Sequence, residues 1–204
     1  MILITGAARS GTSLTTQILK AHGCWLGSAV NSLYENTDIR EQVLKPYLRA
    51  VDADPLGQDP LPDTGDLPPH HGLCRAIAER MEGGPGRWAY KDAKLALVWP
   101  AWAKMFPEAK WVIVRRKTEE IVESCIKASF MRAHGEDRAA WARWVEEHER
   151  RFEAMMTAGL DAIEVWPRKF IDDPEAFRPV AEHCGLEFNA SAVCGAINPD
   201  RYHK

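Results

Sequence analysis

Long apolar runs are missing from this 204-residue chain. None approaches the ~20 residues that a membrane-spanning helix needs. A charged leader is missing as well, because Met1 runs straight into a short apolar segment. A cytoplasmic protein with no membrane span is expected. Cysteine is scarce: Cys24, Cys74, Cys125, Cys184 and Cys194 are odd in number, scattered, and form no C-x-x-C pair. They read as small buried or half-buried residues of a reducing compartment, not as a disulfide framework. No His/Cys cluster has ligand spacing, so no metal is expected, and the adjacent His70 and His71 read as a solvated pair in a Pro-rich loop. An excess of one charge is also absent. A net charge of -3 gives no reason to expect nucleic acid as a partner. Internal repeats and low-complexity tracts are absent.

What is present is an ordinary globular composition, 46% apolar and 27% charged. That length and composition suit one domain over residues 1–204. Ile2 to Ile4 reads as a buried strand and Thr12 to Ala21 as a helix. Gly23 to Gly27 reads as a small strand, and Thr37 to Val51 as a helix with Ile39, Val43, Leu44, Leu48 and Val51 on one face. Asp52 to Pro69 is rich in Asp, Pro and Gly and reads as a long loop, of a length that inside compact domains often forms a lid or a binding loop. Gly72 to Met81 reads as a helix, Trp88 to Lys91 as a strand, and Trp111 to Val114 as a buried strand. Two long helices follow, Thr118 to Ala133 and Glu136 to Ala158, then a strand over Ala162 to Trp166 and a last helix over Pro174 to Cys184. Trp99, Trp102, Trp141 and Trp144 sit at helical spacing and read as packing residues. Strands alternating with helices imply an α/β fold in three layers: a mainly parallel sheet, helices on both faces, of the P-loop nucleotide-binding type. Ligands of such sheets bind beyond the carboxyl ends of the strands, where Arg9, Lys91-Asp92 and Arg115-Arg116 fall.

The segment from Gly6 to Gly11 is the most informative part of the chain. A tight turn between a strand and a helix lets backbone N–H groups converge on an anion at the helix N-terminus. The nucleotide-hydrolase pattern is Gly-x-x-x-x-Gly-Lys-Ser/Thr. Here Gly6 and Gly11 have its spacing, but Thr12 stands where the lysine belongs, and the loop's one cation is Arg9. The loop reads as a phosphate site unsuited to the β- and γ-phosphates of ATP. A second grip for a phosphate is offered by Arg116, just past a strand, and Ser124, about two turns into the following helix.

With these two motifs the chain resembles the sulfotransferases that use 3′-phosphoadenosine-5′-phosphosulfate (PAPS), in particular bacterial members. Ala8-Arg9-Ser10-Gly11-Thr12-Ser13 is similar to their 5′-phosphosulfate loop. Arg116 and Ser124, following Trp111 to Val114, are similar to their 3′-phosphate motif. Tyr34-Glu35-Asn36, Tyr90 to Lys94, Phe106 to Lys110, and Lys169-Phe170 through Gly185-Leu186 resemble further family segments, so the likeness spans most of the chain. Two family prolines are replaced, by Ala93 and Thr118. Cytosolic animal relatives carry a histidine base where Ala93 stands, so a base must come from elsewhere.

The resemblance implies roles. Ser10, Gly11, Thr12 and Ser13 would hold the 5′-phosphate, and Arg116 and Ser124 the 3′-phosphate. Arg9 and Lys91 would neutralise charge on the leaving group, with no metal required. Glu35 is expected to be the general base, its pKa raised by a partly closed cleft, with Asp92 in reserve. The acceptor would be a small molecule, a carbohydrate or a lipid, bound by the Asp52 to Pro69 loop, the Trp141 helix and residues 31–36. The tail, through Arg201, could close over the 3′-phosphate. The competing readings are a P-loop kinase or nucleotide hydrolase, and a non-catalytic nucleotide-binding protein of the same fold. Oligomeric state has no signature.

Overall fold

The computed structural model describes residues 1–68, 77 and 84–197. Four strands form one parallel sheet: β1 (Ile2–Gly6), β2 (Ala89–Lys91), β3 (Lys110–Val114) and β4 (Ala162–Val165), in the order β2-β1-β3-β4. Register places Ile4 beside Lys91 and Gly6 beside Val114, so the residues that follow each strand emerge at one edge. Every residue of β1 is buried, as a central parallel strand covered on both faces requires.

Alternation along the strands divides the core into two layers. Leu3, Tyr90, Trp111 and Ile113 face one side. There they meet the segment made of α2 (Thr37–Ile39), a π turn (Arg40–Leu44) and α3 (Lys45–Ala50), together with α4 (Trp99–Met105). Ile2, Ile4, Val112 and Val114 face the other side, against α1 (Thr12–Ala21) and residues of the C-terminal helices. Helix α5 (Thr118–Lys127) packs on α6 (Arg138–Thr157) through Ile121, Val122, Trp141, Trp144 and Val145. Beyond β4 come α7 (Pro167–Asp172), α8 (Arg178–His183) and α9 (Ala190–Ala196). The α/β architecture expected from the sequence is the one observed.

The differences have local causes. Gly23 and Gly27 both adopt positive φ, so the expected strand between them shrinks to one bridge, Trp25 to Trp88. Pro46 supplies no N–H for the helical ladder, and the helix widens into the π turn just before it. The expected helix over 118–133 stops at Lys127, because backbone groups of residues 130–133 bond instead to the Gln58 side chain. Pro179 divides the expected helix over 174–184 into a 3-10 turn (Pro174–Phe177) and α8. Helices α7 and α9 carry signals the sequence reading passed over: Pro167 at the first helical position, and an Asn189 side chain that accepts from the Ala192 N–H.

Trp102, Trp141 and Trp144 are buried, and Trp99 packs against the same core as Trp102. Cys24, Cys125 and Cys184 are buried free thiols, whereas Cys194 is exposed. Among the described residues no helix is long and apolar enough to cross a membrane. The expected helix over 72–81, apart from the buried Ile77, lies outside the described residues, as do His70, His71, Cys74 and the tail with Arg201.

Candidate active site

The sheet order sets the location. The chain leaves β1 toward β2 on one side and leaves β3 toward β4 on the other, so a crevice opens between the ends of β1 and β3. The loop after β1 fills its floor. At Gly6 a Cβ would lie 2.5 Å from the Val114 carbonyl oxygen and 2.6 Å from the Ser10 hydroxyl, so only glycine fits. Arg9 (φ 74) and Gly11 (φ 103) both turn into the left-handed region, and the chain reverses into α1. Among the described residues no side chain caps that helix, whose leading N–H groups carry the positive end of its dipole. Ser10 Oγ is buried without a hydrogen-bond partner among the described residues. An orphan hydroxyl beside uncapped N–H groups fits a tetrahedral anion.

Sequence-distant residues join this loop. Arg9 Nε donates to Ser124 Oγ at 2.8 Å, and Arg116 Nη1 donates to the Arg9 carbonyl at 3.0 Å. Arg116 is steadied by Glu120, which accepts from its Nε at 2.8 Å. The two phosphate motifs therefore form one cationic cluster rather than two remote grips. Lys91 lies elsewhere in the site, with its Nζ 3.0 Å from Glu35 Oε1, 3.1 Å from the Leu33 carbonyl and 3.4 Å from Ser13 Oγ. Arg9 and Lys91, paired in the sequence reading, thus hold different partners. Ser13 connects the loop to the second group, donating to the Leu33 carbonyl at 3.2 Å.

Glu35 is delivered by a turn built around Asn31. Asn31 Oδ1 accepts from the N–H groups of Leu33 and Glu35, and Asn31 Nδ2 donates to Glu35 Oε2 at 3.1 Å. Arg40 Nη1 stands 3.3 Å from that same oxygen. Burial by itself pushes the Glu35 carboxyl pKa up. Lys91, Lys94 and the bonds from Asn31 and Lys91 outweigh it and hold the group below the ordinary carboxylate value. The expected upward shift is thereby reversed: this carboxylate is ionised near neutral pH. Asp92, the reserve base, is fully buried. It caps the following turn through the Lys94 N–H at 2.9 Å and pairs with Lys94 Nζ at 2.7 Å, so it has no face to offer an acceptor.

Compared with known families, residues 2–190 match the sequence profile described as the sulfotransferase family. The chain belongs to the sulfotransferase family. Sulfuryl transfer is accordingly its chemistry, and the protein is an enzyme. No curated protein matches it by sequence. Among solved structures, the sulfotransferase domain of the Synechococcus olefin synthase superposes with a TM-score of 0.58 at 15% identity, covering 100% of this chain and 78% of its own. A sulfotransferase from Mycobacterium avium gives 0.56 at 15% identity, with 99% and 68% covered. Retinol dehydratase, solved with androsterone and the inactive cofactor PAP, gives 0.51 at 13% identity, with 96% and 62% covered. These likenesses are to the fold.

Two hollows in this sulfotransferase lie apart from the cluster. One of about 440 Å³ is lined by Asp59, Leu61, His134, Arg143, Trp144 and Glu147 among others, and one of about 610 Å³ by residues between Ala21 and Ser191. The first is lined by Asp59 and Leu61 of the long loop and by helix α6, and by no residue of 31–36. Among the described residues no group of three or more His, Cys, Asp or Glu could hold a metal ion. The sequence reading missed Asn31, Arg40 and Lys94, which complete the charge network around Glu35. Arg40 could have been found one helical turn past Asn36, whose side chain caps α2. Asn31, four residues before Glu35, shows as the local turn former it is, whereas Lys94 leaves no such trace, since only tertiary folding brings it to the carboxylate.

Proposed function

We propose that this enzyme moves the sulfuryl group of PAPS to a hydroxyl, or an amine, of a small-molecule acceptor by in-line displacement. One observation carries the reading. The uncapped loop with its orphan Ser10 hydroxyl adjoins the Arg9–Ser124–Arg116 cluster at the sheet's switch point, an arrangement that supports one nucleotide held by two phosphates. The donor, when bound, supplies an activated sulfuryl group on a phosphate leaving group. Gly11, Thr12 and Ser13 would present N–H groups to the 5′-phosphate, with Ser10 adding its hydroxyl. Arg116 and Ser124 would hold the 3′-phosphate. Arg9 and Lys91 would neutralise charge that grows on the leaving side, which is where preorganised donors contribute most. The positive field comes from the loop and these cations, so the reading calls on no metal.

Glu35 would take the acceptor's proton. It is ionised in advance, and Lys91 restrains its basicity. Were Lys91 to exchange Glu35 for negative charge on the leaving group, the carboxylate would regain proton affinity when the acceptor loses its proton. A thermal-shift comparison of 3′-phosphoadenosine-5′-phosphate (PAP) with ADP and ATP tests the nucleotide assignment. PAP is expected to stabilise most, and Arg116→Ala to erase its advantage over ADP. Equal responses to PAP and ADP in the wild-type protein would overturn the proposal.

A further inference from the structure

Gln58 sits in the loop beyond α3 and is only 3% exposed. Its whole amide is engaged with a segment more than seventy residues away. Nε2 donates to the Phe130 carbonyl at 2.7 Å, and Oε1 accepts from the N–H groups of Arg132 at 2.7 Å and Ala133 at 3.0 Å. Gln58 is itself firmly seated. Its N–H donates to Asp54 Oδ2 at 2.8 Å, and the Gly57 carbonyl accepts from the Trp144 indole at 3.2 Å. At Gly57 a Cβ would lie 2.7 Å from Lys94 Cγ, which presses this loop against the network around Asp92.

The segment that Gln58 holds leads back to the proposed donor site. Phe130 is 48% exposed, an unusual state for so large an apolar ring, and lies 5.9 Å from the Arg9 guanidinium carbon. That guanidinium donates to Ser124, in the last turn of the helix that precedes this segment. A buried amide gains little net stability from exchanging water for protein partners, but its geometry is strongly directional. Three such bonds, to the backbone of Phe130, Arg132 and Ala133, set the course of this loop.

We infer that Gln58 is a positioning residue for donor binding: by fixing the backbone of residues 130–133 it seats Phe130 against Arg9 and keeps that guanidinium aligned on Ser124. The inference rests on the reading that Arg9 and Ser124 hold the nucleotide. Its test is a double-mutant cycle on PAP affinity, measured by calorimetry on the full chain, with Gln58→Ala, Phe130→Ala and the double variant. Each single change is expected to weaken PAP binding by about tenfold, through loss of the cation–π contact that steadies Arg9. The double variant should be no weaker than either alone, because both act through one contact. Should Gln58→Ala fail to fold, Gln58→Glu keeps the acceptor for Arg132 and Ala133 but loses the donor to Phe130, and the same weakening is expected. Unchanged PAP affinity in the Gln58 variant, or additive effects in the double variant, would overturn the inference while leaving the function standing. A wild-type protein that ignores PAP would overturn both.

Discussion

A carboxylate that is to remove a proton from an acceptor must be ionised before the acceptor arrives, and Lys91, Lys94 and Arg40 keep Glu35 in that state. Replacing Glu35 by Gln should lower turnover by at least about a hundredfold, the scale of general-base contributions. PAP affinity should be undiminished, and preserved turnover would exclude Glu35 as the base. The same substitution leaves the Lys91 charge buried without a counter-ion, which costs about 3–5 kcal/mol when a buried pair is broken. The pH dependence has a definite sign. The folded pKa of Glu35 lies below its unfolded value, so its stabilisation is present above about 4.3 and fades as pH falls through the folded value. Urea midpoints from about pH 7 down to about pH 3 should show this acid loss in the wild type and not in Glu35→Gln. Motif spacing singled out Arg9, Arg116 and Ser124, and the family resemblance added Glu35 and Lys91. Neither could announce that the carboxylate would meet Lys91 and Lys94 as well as its near neighbour Arg40, since the two lysines arrive from β2 and the turn after it. That is why the expected direction of the pKa shift was reversed.

Backbone geometry decides what the phosphate loop can accept. Gly6→Ala would press a methyl group into the Val114 carbonyl and the Ser10 hydroxyl, forcing β1 from β3 at the mouth of the site. The expected cost is about 1–3 kcal/mol of stability, with loss of PAP binding, read by denaturant melts and calorimetry. Gly11→Ala meets two obstacles, a φ of 103 and a Pro167 Cγ at 2.8 Å from the new Cβ. It should destabilise by at least about 1 kcal/mol. A Gly11→Ala protein as stable as wild type and still binding PAP would show that the helix start does not need this turn. Elements with strong local signals, β1, α1 and β3, were legible because their apolar pattern and their glycines agree. The early end of α5 was not legible. Residues 128–133 are compatible with a helix, and it is Gln58, from a distant loop, that claims their backbone groups.

On the scale of the whole molecule, helix α6 ties the sheet to α5, and its interior carries a fully buried histidine. Burial pushes His148 down to about 4, with Arg151 adding to the effect and the Trp144 carbonyl opposing it. The unfolded chain therefore takes up this proton first. Stability is complete above about pH 6.5 and declines by about 3 kcal/mol as pH falls toward the folded value. His148→Phe keeps a ring beside Trp144, whose centroid lies 4.1 Å away, and removes the proton. Melting midpoints followed from neutral to acid pH should fall less steeply in this variant than in wild type, and parallel curves would refute the assignment. The sequence by itself determined the layered parallel sheet, because alternating apolar strands and amphipathic helices have few other ways to bury both faces. It also determined the phosphate loop, because the glycine spacing is a local property of one turn. Only the tertiary structure decided that Arg9 meets Ser124, that Glu35 meets Lys91, and that Gln58 holds the Phe130 segment. Each of these joins residues brought together by strand order or by loop packing. No local pattern encodes such distances, because they depend on how the whole chain closes around its core.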